Sequence, residues 1–435
     1  MEKPIKHHRK KEEYRMRTHL IHGNYESRRW DYDHHVIPPI SSSTTFRLSS
    51  AHRGAQGFLD FASSEAQEKK VPIYIYDRLD EPTRGMLEEN LAYAEGGDIA
   101  VTFSTGMAAV SAALGITVCA GDEIIAHHAM YGCTYSLLSN WYPRYRIPTH
   151  FCDLTQGKNL KNLMNSRTRV VYFETPVNPN LDLIDIQATR AIVERANQDR
   201  PTDKKILMII DNTFSTMYCQ RPLQMGADMV VYSLTKNIGG FGTDMGGAVI
   251  ASEEYRNHLM LYRKDFGGVL SSKSAWAILV YGLPTLATRL VNQQKTALKV
   301  SEFLESHPKV AFVRYPGLES FPQAELARRQ MTSYDGKFAP GSIIYFVLKE
   351  GGENENEVGE KFIDYLADHS YTITLAVSLG QIKTLVENPY SMTHAALPPE
   401  MKKAKGIEPG GIRLSVGLED WHDIIEDLAK ALEQI

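Results

Sequence analysis

Residues 231–237 read Val-Tyr-Ser-Leu-Thr-Lys-Asn, an apolar strand pattern that ends in Ser-x-Thr and is followed at once by Lys236. Upstream, residues 209–213 read Ile-Ile-Asp-Asn-Thr, a second apolar strand pattern that ends in Asp211. Short apolar runs bounded by polar turns are typical of strands buried in a parallel sheet. Ligands bind at the carboxyl ends of such strands, so this pattern predicts that Asp211 and Lys236 share one site.

The side chains at these two strand ends match the needs of one cofactor. The amine of Lys236 can form a Schiff base with an aldehyde, and the hydroxyls of Ser233 and Thr235 can hold a phosphate beside it. The carboxylate of Asp211 can keep a pyridine nitrogen protonated. Together these groups indicate pyridoxal 5'-phosphate (PLP). Each residue alone is also consistent with an ordinary strand-ending lysine or a helix-capping aspartate, and the pair favours the cofactor.

Strand and helix patterns alternate through the middle of the chain, which predicts an α/β fold with a mainly parallel sheet covered by helices. Glu174, Ser104 and Ser233 also end predicted strands, so they are expected at the same edge of the sheet. The predicted strands are 100–103, 122–126, 169–174, 206–211, 229–233 and 246–250, and predicted helices begin at Thr105, Gly132 and Ile186.

We predict three regions along the chain. Residues 1–80 show little regular pattern and are interpreted as an N-terminal arm laid over another surface. Residues 81–285 form the large cofactor-binding domain. Residues 286–435 form a smaller C-terminal α+β domain, which begins within a long predicted helix over 283–305. Within this domain the predicted strands are 341–348 and 411–416, the predicted helices are 357–367 and a last one from Trp421, and the polar segment 349–357 is a predicted surface loop.

Composition excludes several other classes of protein. The chain has 435 residues, 43% hydrophobic and 23% charged, with a formal net charge of −4, which gives no reason to expect nucleic acid. No apolar run was found that approaches the roughly 18–20 residues of a membrane span. The four cysteines show no CxxC spacing, which argues against a zinc site and fits a reducing cytoplasm. We therefore expect a cytoplasmic protein without a metal, a nucleic-acid partner or a membrane.

Residues 104–107, Ser-Thr-Gly-Met, end a predicted strand and open a predicted helix. Backbone N–H groups at a helix N-terminus bind phosphate, and the helix dipole assists them. We therefore predict that Gly106 and Met107 contribute to a phosphate site together with Ser233 and Thr235. A routine helix cap by Thr105 is the alternative interpretation.

These motifs occur in an order that resembles the PLP-dependent enzymes of cysteine and methionine metabolism. The resemblance runs from about Thr18 to the C-terminus and implies the fold type I architecture, whose large domain has a mainly parallel seven-stranded sheet. The matching segments are Tyr76-x-Arg78, 104–107, 131–134 (Tyr-Gly-Cys-Thr), 174–179 (Glu-Thr-Pro-Val-Asn-Pro), 211–213, 233–236, 378–380 (Ser-Leu-Gly), 391–394 (Ser-Met-Thr-His) and 413–417 (Arg-Leu-Ser-Val-Gly).

The resemblance implies a role for each residue of the cofactor site. Lys236 would hold PLP and then move protons as a general acid and base. Asp211 would pair with the ring nitrogen, Asn178 would tune the ring hydroxyl, and Tyr131 would stack on the ring and exchange a proton with substrate. Half-burial of a tyrosine at a helix start is the simpler interpretation of Tyr131.

The resemblance also implies how the substrate and a second subunit take part. Arg413 would clamp the substrate α-carboxylate with its planar fork, and backbone around Ser378 would complete that pocket. Tyr76 and Arg78 would reach the phosphate in the neighbouring subunit, around which the N-terminal arm would wrap. A homotetramer built from two such dimers is therefore expected. Two extra acids between positions 76 and 83, and a longer segment at 49–72, depart from the family pattern.

Three features discriminate among members of the family. Cys133, the pair Lys264-Asp265 and the apolar Val377 before Ser378 all resemble the methionine γ-lyases, in which the pair accompanies the cysteine. Cys133 would act in catalysis and Lys264 and Asp265 in substrate binding, although a packed thiol and an exposed charge pair are simpler interpretations. The expected reaction is γ-elimination on methionine. Cystathionine γ-lyase, cystathionine γ-synthase and O-acylhomoserine sulfhydrylase activities are the alternatives.

Two other classes of protein are less consistent with the sequence. A nicotinamide cofactor is disfavoured because no G-x-G-x-x-G follows the first predicted strands, and a P-loop is also missing. A catalytically silent relative is disfavoured because the reactive residues of the family pattern are present.

Overall fold

The computed structural model describes residues 14–23, 36–61, 73–349, 357–395 and 399–435. Two β-sheets organise this part of the chain, one with seven strands and one with five. The predicted architecture, a large α/β domain with a mainly parallel seven-stranded sheet and a smaller C-terminal α+β domain, is confirmed. The boundaries at residues 80 and 285 remain predictions.

The large sheet has the strand order β1-β7-β6-β5-β4-β2-β3. Four neighbouring pairs, from β3 through β2, β4 and β5 to β6, run parallel, whereas β7 is antiparallel to both β6 and β1. The strands are β1 Ile99–Phe103, β2 Glu123–His127, β3 Thr149–Cys152, β4 Thr168–Glu174, β5 Leu207–Asp211, β6 Met229–Ser233 and β7 Gly247–Ala251.

Two apolar clusters hold helices to the two faces of this sheet. The central strands are buried along nearly their whole length, as continuous apolar runs in a parallel sheet require. Consecutive residues of one strand join opposite clusters, as Val171 and Tyr172 of β4 do, because side chains on a strand point alternately to its two faces. Removal of this apolar surface from water is the main force that fixes the sheet between its helices.

The C-terminal sheet has the order β10-β11-β12-β9-β8. Its core is a separate apolar cluster that includes Ile344, Phe362 and Leu428. The helix Leu283–Ser306 links this domain to the larger one, since Gln293 on it donates to the carbonyls of Gln381 and Val416. The strands are β8 Val310–Arg314, β9 Ile343–Leu348, β10 Ile373–Leu375, β11 Thr384–Glu387 and β12 Gly411–Ser415.

Helices flank both sheets. The α-helices of the described residues are Met16–His22, Ala51–Asp60, Pro82–Glu95, Gly106–Gly115, Gly132–Ser136, Gly157–Leu163, Ile186–Asn197, Thr216–Cys219, Arg256–Phe266, Ser272–Ala277, Leu283–Ser306, Ala324–Gln330, Val358–His369, Pro399–Ala404 and Trp421–Glu433. The π-helical segments Leu137–Trp141 and Ile278–Gly282 and four short 3-10 turns complete the helical elements: Tyr142–Tyr145, Thr202–Lys204, Pro222–Met225 and Glu253–Tyr255.

The structure departs from the sequence predictions in several places. Residues 1–80 were predicted to show little regular pattern, yet helices form over Met16–His22 and Ala51–Asp60. The helix predicted from Gly132 to Trp141 changes to π geometry at Leu137. Strands β3, β8, β10 and β11 were not predicted. Strands β3, β10 and β11 have only three or four residues, whereas β8 is a five-residue apolar run that the sequence analysis missed. Most of the loop predicted at 349–357, and the end of the segment 49–72, lie outside the described residues.

One helical stretch of the described residues, Ser272–Ser306, is long and apolar enough to cross a membrane by length and composition alone. The expectation that no apolar run approaches that length was therefore wrong for this stretch. Half of its apolar window is buried inside the protein, as in the core helix of a globular domain.

Candidate active site

The carboxyl ends of β4, β5 and β6 bring four of the predicted positions to one edge of the sheet. Glu174 pairs directly with Asp211 in the register of β4 and β5, and Asp211 in turn pairs with Val231 of β6. The backbone N–H of Ser233 donates to Oγ1 of Thr213 at 2.9 Å, which ties the end of β6 to the loop after β5. Lys236 follows three residues later and therefore enters the same region.

The predicted phosphate-binding segment lies where the helix Gly106–Gly115 begins against the end of β6. A Cβ atom added to Gly106 would lie 2.8 Å from Cβ of Ser233, so only glycine allows this approach. The hydroxyl of Thr105 accepts from the N–H of Ala108 at 3.1 Å, as in a routine cap. In the described residues the N–H groups of Gly106 and Met107 have no protein partner, so they are free to bind a phosphate.

Thr235 lies next to this site, but its hydroxyl is already engaged. Oγ1 of Thr235 accepts from the N–H of Gly246 at 3.1 Å and lies 3.3 Å from the carbonyl oxygen of the same residue. The hydroxyl of Ser233, by contrast, makes no hydrogen bond within the described residues and is not among their buried unpaired atoms. Ser233 is therefore the more available of the two predicted hydroxyls.

Lys236 lies between the two domains. Its Nζ atom is 2.7 Å from Oγ of Ser378, which belongs to the segment between β10 and β11. The approach is close, since a Cβ atom on Gly380 would lie 2.4 Å from the backbone nitrogen of Asn237. Burial, reinforced by the positive charge of Arg413, lowers the pKa of Lys236 to about 8. A neutral amine near physiological pH is the form that reacts with an aldehyde.

Arg413 is held on the opposite side by three groups. Its Nη1 atom lies 3.0 Å from Oε1 of Glu387 and donates to Oδ1 of Asn178 at 3.0 Å. Its Nη2 atom donates to the carbonyl of Ser378 at 2.9 Å. The guanidinium also lies 6.0 Å from the ring centroid of Phe214. The structure thus brings together Lys236, Ser378, Asn178 and Arg413.

Glu174, which is buried, and Asp211, which is partly exposed, form an acidic pair at the ends of β4 and β5. Burial raises the pKa of Asp211, although the N–H of Thr213 donates to its Oδ1 at 2.9 Å. Burial, and then the charge of Asp211, raises the pKa of Glu174 to about 8. A cationic ring nitrogen beside Asp211 would compensate for the loss of hydration that its carboxylate suffers.

Tyr131 and Cys133 open the helix Gly132–Ser136 beside this pair. The backbone N–H of Tyr131 donates to Oε1 of Glu174 at 2.7 Å. Burial and a hydrogen bond with the exposed Cys133 raise the pKa of the Tyr131 hydroxyl well above its usual range, so the phenol stays protonated at neutral pH. Tyr131 is nonetheless partly exposed, with its ring open to a ligand.

Tyr76, Arg78, Lys264 and Asp265 form a separate group. Arg78 donates to the carbonyl of Lys264 and lies 5.6 Å from the ring centroid of Tyr76, while Lys264 and Asp265 are paired at 3.2 Å. Within the described residues, none of the four makes a hydrogen bond or an ion pair with Lys236, Ser378 or Arg413. The described contacts therefore do not join these predicted residues to Lys236 or Arg413.

Sequence reasoning assigned no role to two buried ionisable residues near the site. Glu387 contacts Arg413, and a signal existed, because a glutamate inside the apolar run Leu385-Val386 needs a partner if it is buried. Lys405 donates to the carbonyl of His128, and burial lowers its pKa to about 8. Lys405 comes close only through the fold, and its local sequence carries no such signal.

His127, His128 and Asp153 could in principle share a metal ion, since their ligand atoms all lie within 4.8 Å of one another. However, Nδ1 of His127 accepts from the N–H of Leu154 at 3.1 Å. A neutral imidazole that accepts at Nδ1 carries its proton on Nε2, so His127 has no free lone pair for a metal. We therefore assign no metal to this group.

The donor set of the lysine site fits PLP. A reactive amine with a lowered pKa, a glycine-lined anion site with two free N–H groups, and a carboxylate lie around one sheet edge. These are the groups that bind, respectively, the aldehyde, the phosphate and the ring nitrogen.

Comparisons with known proteins agree with this chemistry. Residues 17–433 match the model of the family described as Cys/Met metabolism PLP-dependent enzyme. The chain is 40% identical over 399 residues to an L-methionine gamma-lyase of Fusobacterium nucleatum subsp. polymorphum, covering 91% of this chain and 93% of that protein. It is 38% identical over 401 residues to an L-methionine gamma-lyase of Treponema denticola, covering 92% and 93%.

A solved structure is also similar. It is a cystathionine gamma-lyase from Lactobacillus plantarum complexed with L-serine, with a TM-score of 0.83 and 29% sequence identity, covering 97% of this chain and 99% of that one. The family match, these relatives and the lysine-centred geometry lead to one conclusion: the chain belongs to the Cys/Met metabolism PLP-dependent enzyme family.

Proposed function

We propose that this protein is an L-methionine γ-lyase, which converts L-methionine and water into methanethiol, 2-oxobutanoate and ammonia. Support comes from the relatives of that name and from the residues that border the lysine site. PLP, when bound, supplies an electron sink for negative charge that develops on the substrate carbon atoms.

The observation that carries this proposal is the position of Val377. It directly precedes Ser378, whose hydroxyl lies 2.7 Å from Nζ of Lys236, so Val377 is at the rim of the lysine site. Its exposed fraction is 57%, which leaves its apolar side chain open to a ligand. An apolar side chain suits the thioether of methionine, whereas the distal ammonium of cystathionine would favour a carboxylate at this position.

We assign the cofactor contacts as the sequence predicted them. Lys236 would hold the aldehyde carbon, Asp211 the ring nitrogen, and Asn178 the ring hydroxyl through its amide Nδ2. Tyr131 would stack on the ring. The phosphate would be held by the four predicted groups of the anion site: Gly106, Met107, Ser233 and Thr235.

Proton transfers are assigned to two side chains. Lys236, with a pKa near 8, can take a proton from Cα and then exchange protons at Cβ close to neutral pH. Tyr131, whose pKa is raised by burial, keeps its proton and can give it to the departing thiolate. Cys133 contacts Tyr131 and would help to place that hydroxyl. Arg413 would bind the α-carboxylate and so set the orientation of the substrate.

We also propose a homotetramer of two dimers, in which Tyr76 and Arg78 complete the site of the neighbouring subunit. Support comes from their contacts, since among the described residues Tyr76 and Arg78 make no hydrogen bond or ion pair with Lys236, Ser378 or Arg413 of their own chain. Lys264 and Asp265 lie with Arg78, so their part in substrate binding would fall at that neighbouring site as well. A cytoplasmic location is proposed on the basis of four cysteines that are all free.

The alternative is an enzyme that acts on cystathionine or replaces the γ-substituent of an O-acylhomoserine. The similar solved structure is a cystathionine gamma-lyase, and the same lysine and arginine serve all of these reactions. Which of these reactions the enzyme catalyses depends on the groups that face the end of the substrate side chain.

The test is product analysis on the purified, PLP-loaded protein with methionine, cystathionine, and O-acetylhomoserine plus a thiol. We expect methionine to yield equal amounts of methanethiol, 2-oxobutanoate and ammonia. Turnover of cystathionine or of the acylhomoserine, without products from methionine, would reject the proposal but retain the family.

Variants at Val377 sharpen this test. Val377→Glu is expected to lower kcat/KM for methionine by about 10- to 100-fold, as loss of an apolar contact worth about 1–3 kcal/mol implies, and to favour cystathionine. Val377→Thr has a similar shape without a charge and serves as the control. Equal loss in both variants would mean that the side chain acts through packing alone.

A further inference from the structure

Glu387 is a buried carboxylate that faces the substrate-binding arginine across two strands. It ends β11 and pairs directly with Arg413 of β12 in the antiparallel register. The exposed fractions of the two side chains are 1% and 4%, and Oε1 of Glu387 lies 3.0 Å from Nη1 of Arg413. The hydroxyl of Thr393 donates to the same Oε1 at 3.1 Å. The pair is thus removed from water and fixed by a third group.

The protein contacts of Arg413 do not use all the N–H donors of its guanidinium. A guanidinium has five N–H donors, and three are directed to Glu387, Asn178 and the carbonyl of Ser378. Two donors therefore have no partner within the described residues. Two donors are what a bidentate interaction with a carboxylate requires. Of the three partners, Glu387 alone carries a full negative charge.

The two oxygens of Glu387 are not used equally. Oε1 accepts from both Arg413 and Thr393, while Oε2 is buried without a hydrogen-bond partner among the described residues. Buried polar atoms in a purely structural ion pair are normally satisfied, because each unpaired one costs free energy. The charge of Arg413 beside Oε1 is the interaction that offsets the cost of this unpaired oxygen.

We propose that Glu387 is the positioning residue of the substrate-carboxylate site. It is the permanent counter-ion of Arg413 and holds the guanidinium by Nη1, so that two donors stay in place for the incoming α-carboxylate. A buried cation that lost its partner whenever the substrate left would be strongly disfavoured. Glu387 prevents this between turnovers. The inference rests on the part of the proposed function that gives Arg413 the carboxylate.

The experiment compares two ligands on the PLP-loaded protein. Glycine carries an amine and a carboxylate, whereas methylamine carries only the amine. Both alter the visible absorbance of the lysine-bound cofactor, so each Kd is measured by titration without turnover. Glycine has no side chain, and its binding therefore does not depend on whether methionine is the substrate. Failure of the proposed reaction and failure of this inference are thus distinguishable.

Three variants test the role of the side chain. Glu387→Ala removes the anchor and is expected to weaken glycine at least 10-fold while methylamine binding stays within 2-fold. Glu387→Gln keeps an oxygen at the same reach and is expected to bind glycine as tightly as the parent protein or more tightly, because it removes a competing negative charge. Thr393→Val loosens Glu387 and is expected to weaken glycine by about 2- to 5-fold.

The control is Glu419→Ala, since Glu419 accepts from the N–H and hydroxyl of Thr384 on the same strand without touching Arg413. It should change neither Kd. Unchanged glycine binding in Glu387→Ala would overturn the inference, as would equal weakening of both ligands, which indicates a general structural effect. If Glu387→Ala does not fold, unchanged glycine binding in Thr393→Val, or a 10-fold loss in Glu387→Gln, overturns it.

Discussion

Nζ of Lys236 lies 2.7 Å from Oγ of Ser378, a non-glycine residue whose φ of 101° lies in the region that favours glycine. The carbonyl of the same serine accepts from Arg413 at 2.9 Å. One strained residue therefore connects Lys236 of the large domain with Arg413 of the small domain. Backbone strain of this kind persists only where the surrounding structure enforces it, and it is common at functional sites.

The anion site leads to a prediction about Gly106. Gly106→Ala is expected to weaken PLP binding by about 10- to 100-fold, because the added Cβ would lie 2.8 Å from Cβ of Ser233 and push the helix start away from the phosphate. Equilibrium titration of cofactor-free protein with PLP measures the effect. Ser111→Ala, in the same helix, is the control and should bind PLP normally. Normal binding by Gly106→Ala would place the phosphate elsewhere.

The lowered pKa of Lys236 predicts the pH dependence of cofactor loading. Only the neutral amine attacks the aldehyde, so the rate should rise about tenfold per pH unit below the pKa and level off above about 8. The appearance of visible absorbance after PLP is added to cofactor-free protein, in a pH series that starts at about pH 6 and extends beyond 10.5, measures this rate.

A parallel reaction of PLP with Nα-acetyl-lysine corrects for ionisation of the cofactor itself. Its midpoint should lie near the ordinary lysine value of 10.5. Arg413→Gln should move the midpoint of the protein upward, because the charge of Arg413 contributes to the lowered pKa. If the pH midpoint of the loading rate were the same for the protein and for Nα-acetyl-lysine, burial would not lower the pKa of Lys236.

Because the planar guanidinium of Arg413 contacts three groups at once, we expect that lysine cannot replace it. Arg413→Lys keeps the charge but cannot reach Glu387, Asn178 and the carbonyl of Ser378 together. We expect glycine binding to weaken by about 10- to 100-fold, which corresponds to about 1.4–2.8 kcal/mol, with methylamine unaffected. Arg328→Lys, at an exposed ion pair with Glu319, is the control. Equal glycine affinity in Arg413→Lys would exclude a bidentate clamp.

We expect Glu95 to make a pH-dependent contribution to the free energy of unfolding. Burial raises its pKa from 4.5 to about 8, although it accepts from the hydroxyl of Tyr232 and from the N–H of Leu223. Because the folded-state pKa is the higher one, this contribution is full below pH 4.5 and is lost as the pH rises towards 8. Glu95→Gln mimics the protonated acid, so its Tm should fall less than that of the parent between pH 5 and 8.

Thermal unfolding in a pH series measures this difference. Glu426→Gln, at an exposed pair with Lys430, should follow the parent protein and serves as the control. Parallel Tm curves for Glu95→Gln and the parent would mean that Glu95 is ionised in the folded protein at neutral pH.

Much of the fold followed from local patterns. Continuous apolar runs predicted β4, β5 and β6, and the polar residues after them predicted the edge at which Asp211 and Lys236 lie. The helix Gly106–Gly115 was predicted from its Ser-Thr-Gly start. Short edge strands such as β3 and β10 were missed, because three or four residues carry too little apolar pattern to distinguish a strand from a loop.

The chemical groups of the site are a property of short local segments. A lysine after Ser-x-Thr and an acid at a neighbouring strand end are sufficient to indicate PLP. The environment of those residues is not local. The ion pair of Glu387 with Arg413 follows from the register of β11 against β12, and the lowered pKa of Lys236 follows from burial between two domains. Register and burial arise from contacts between distant segments, so only the folded chain could reveal them.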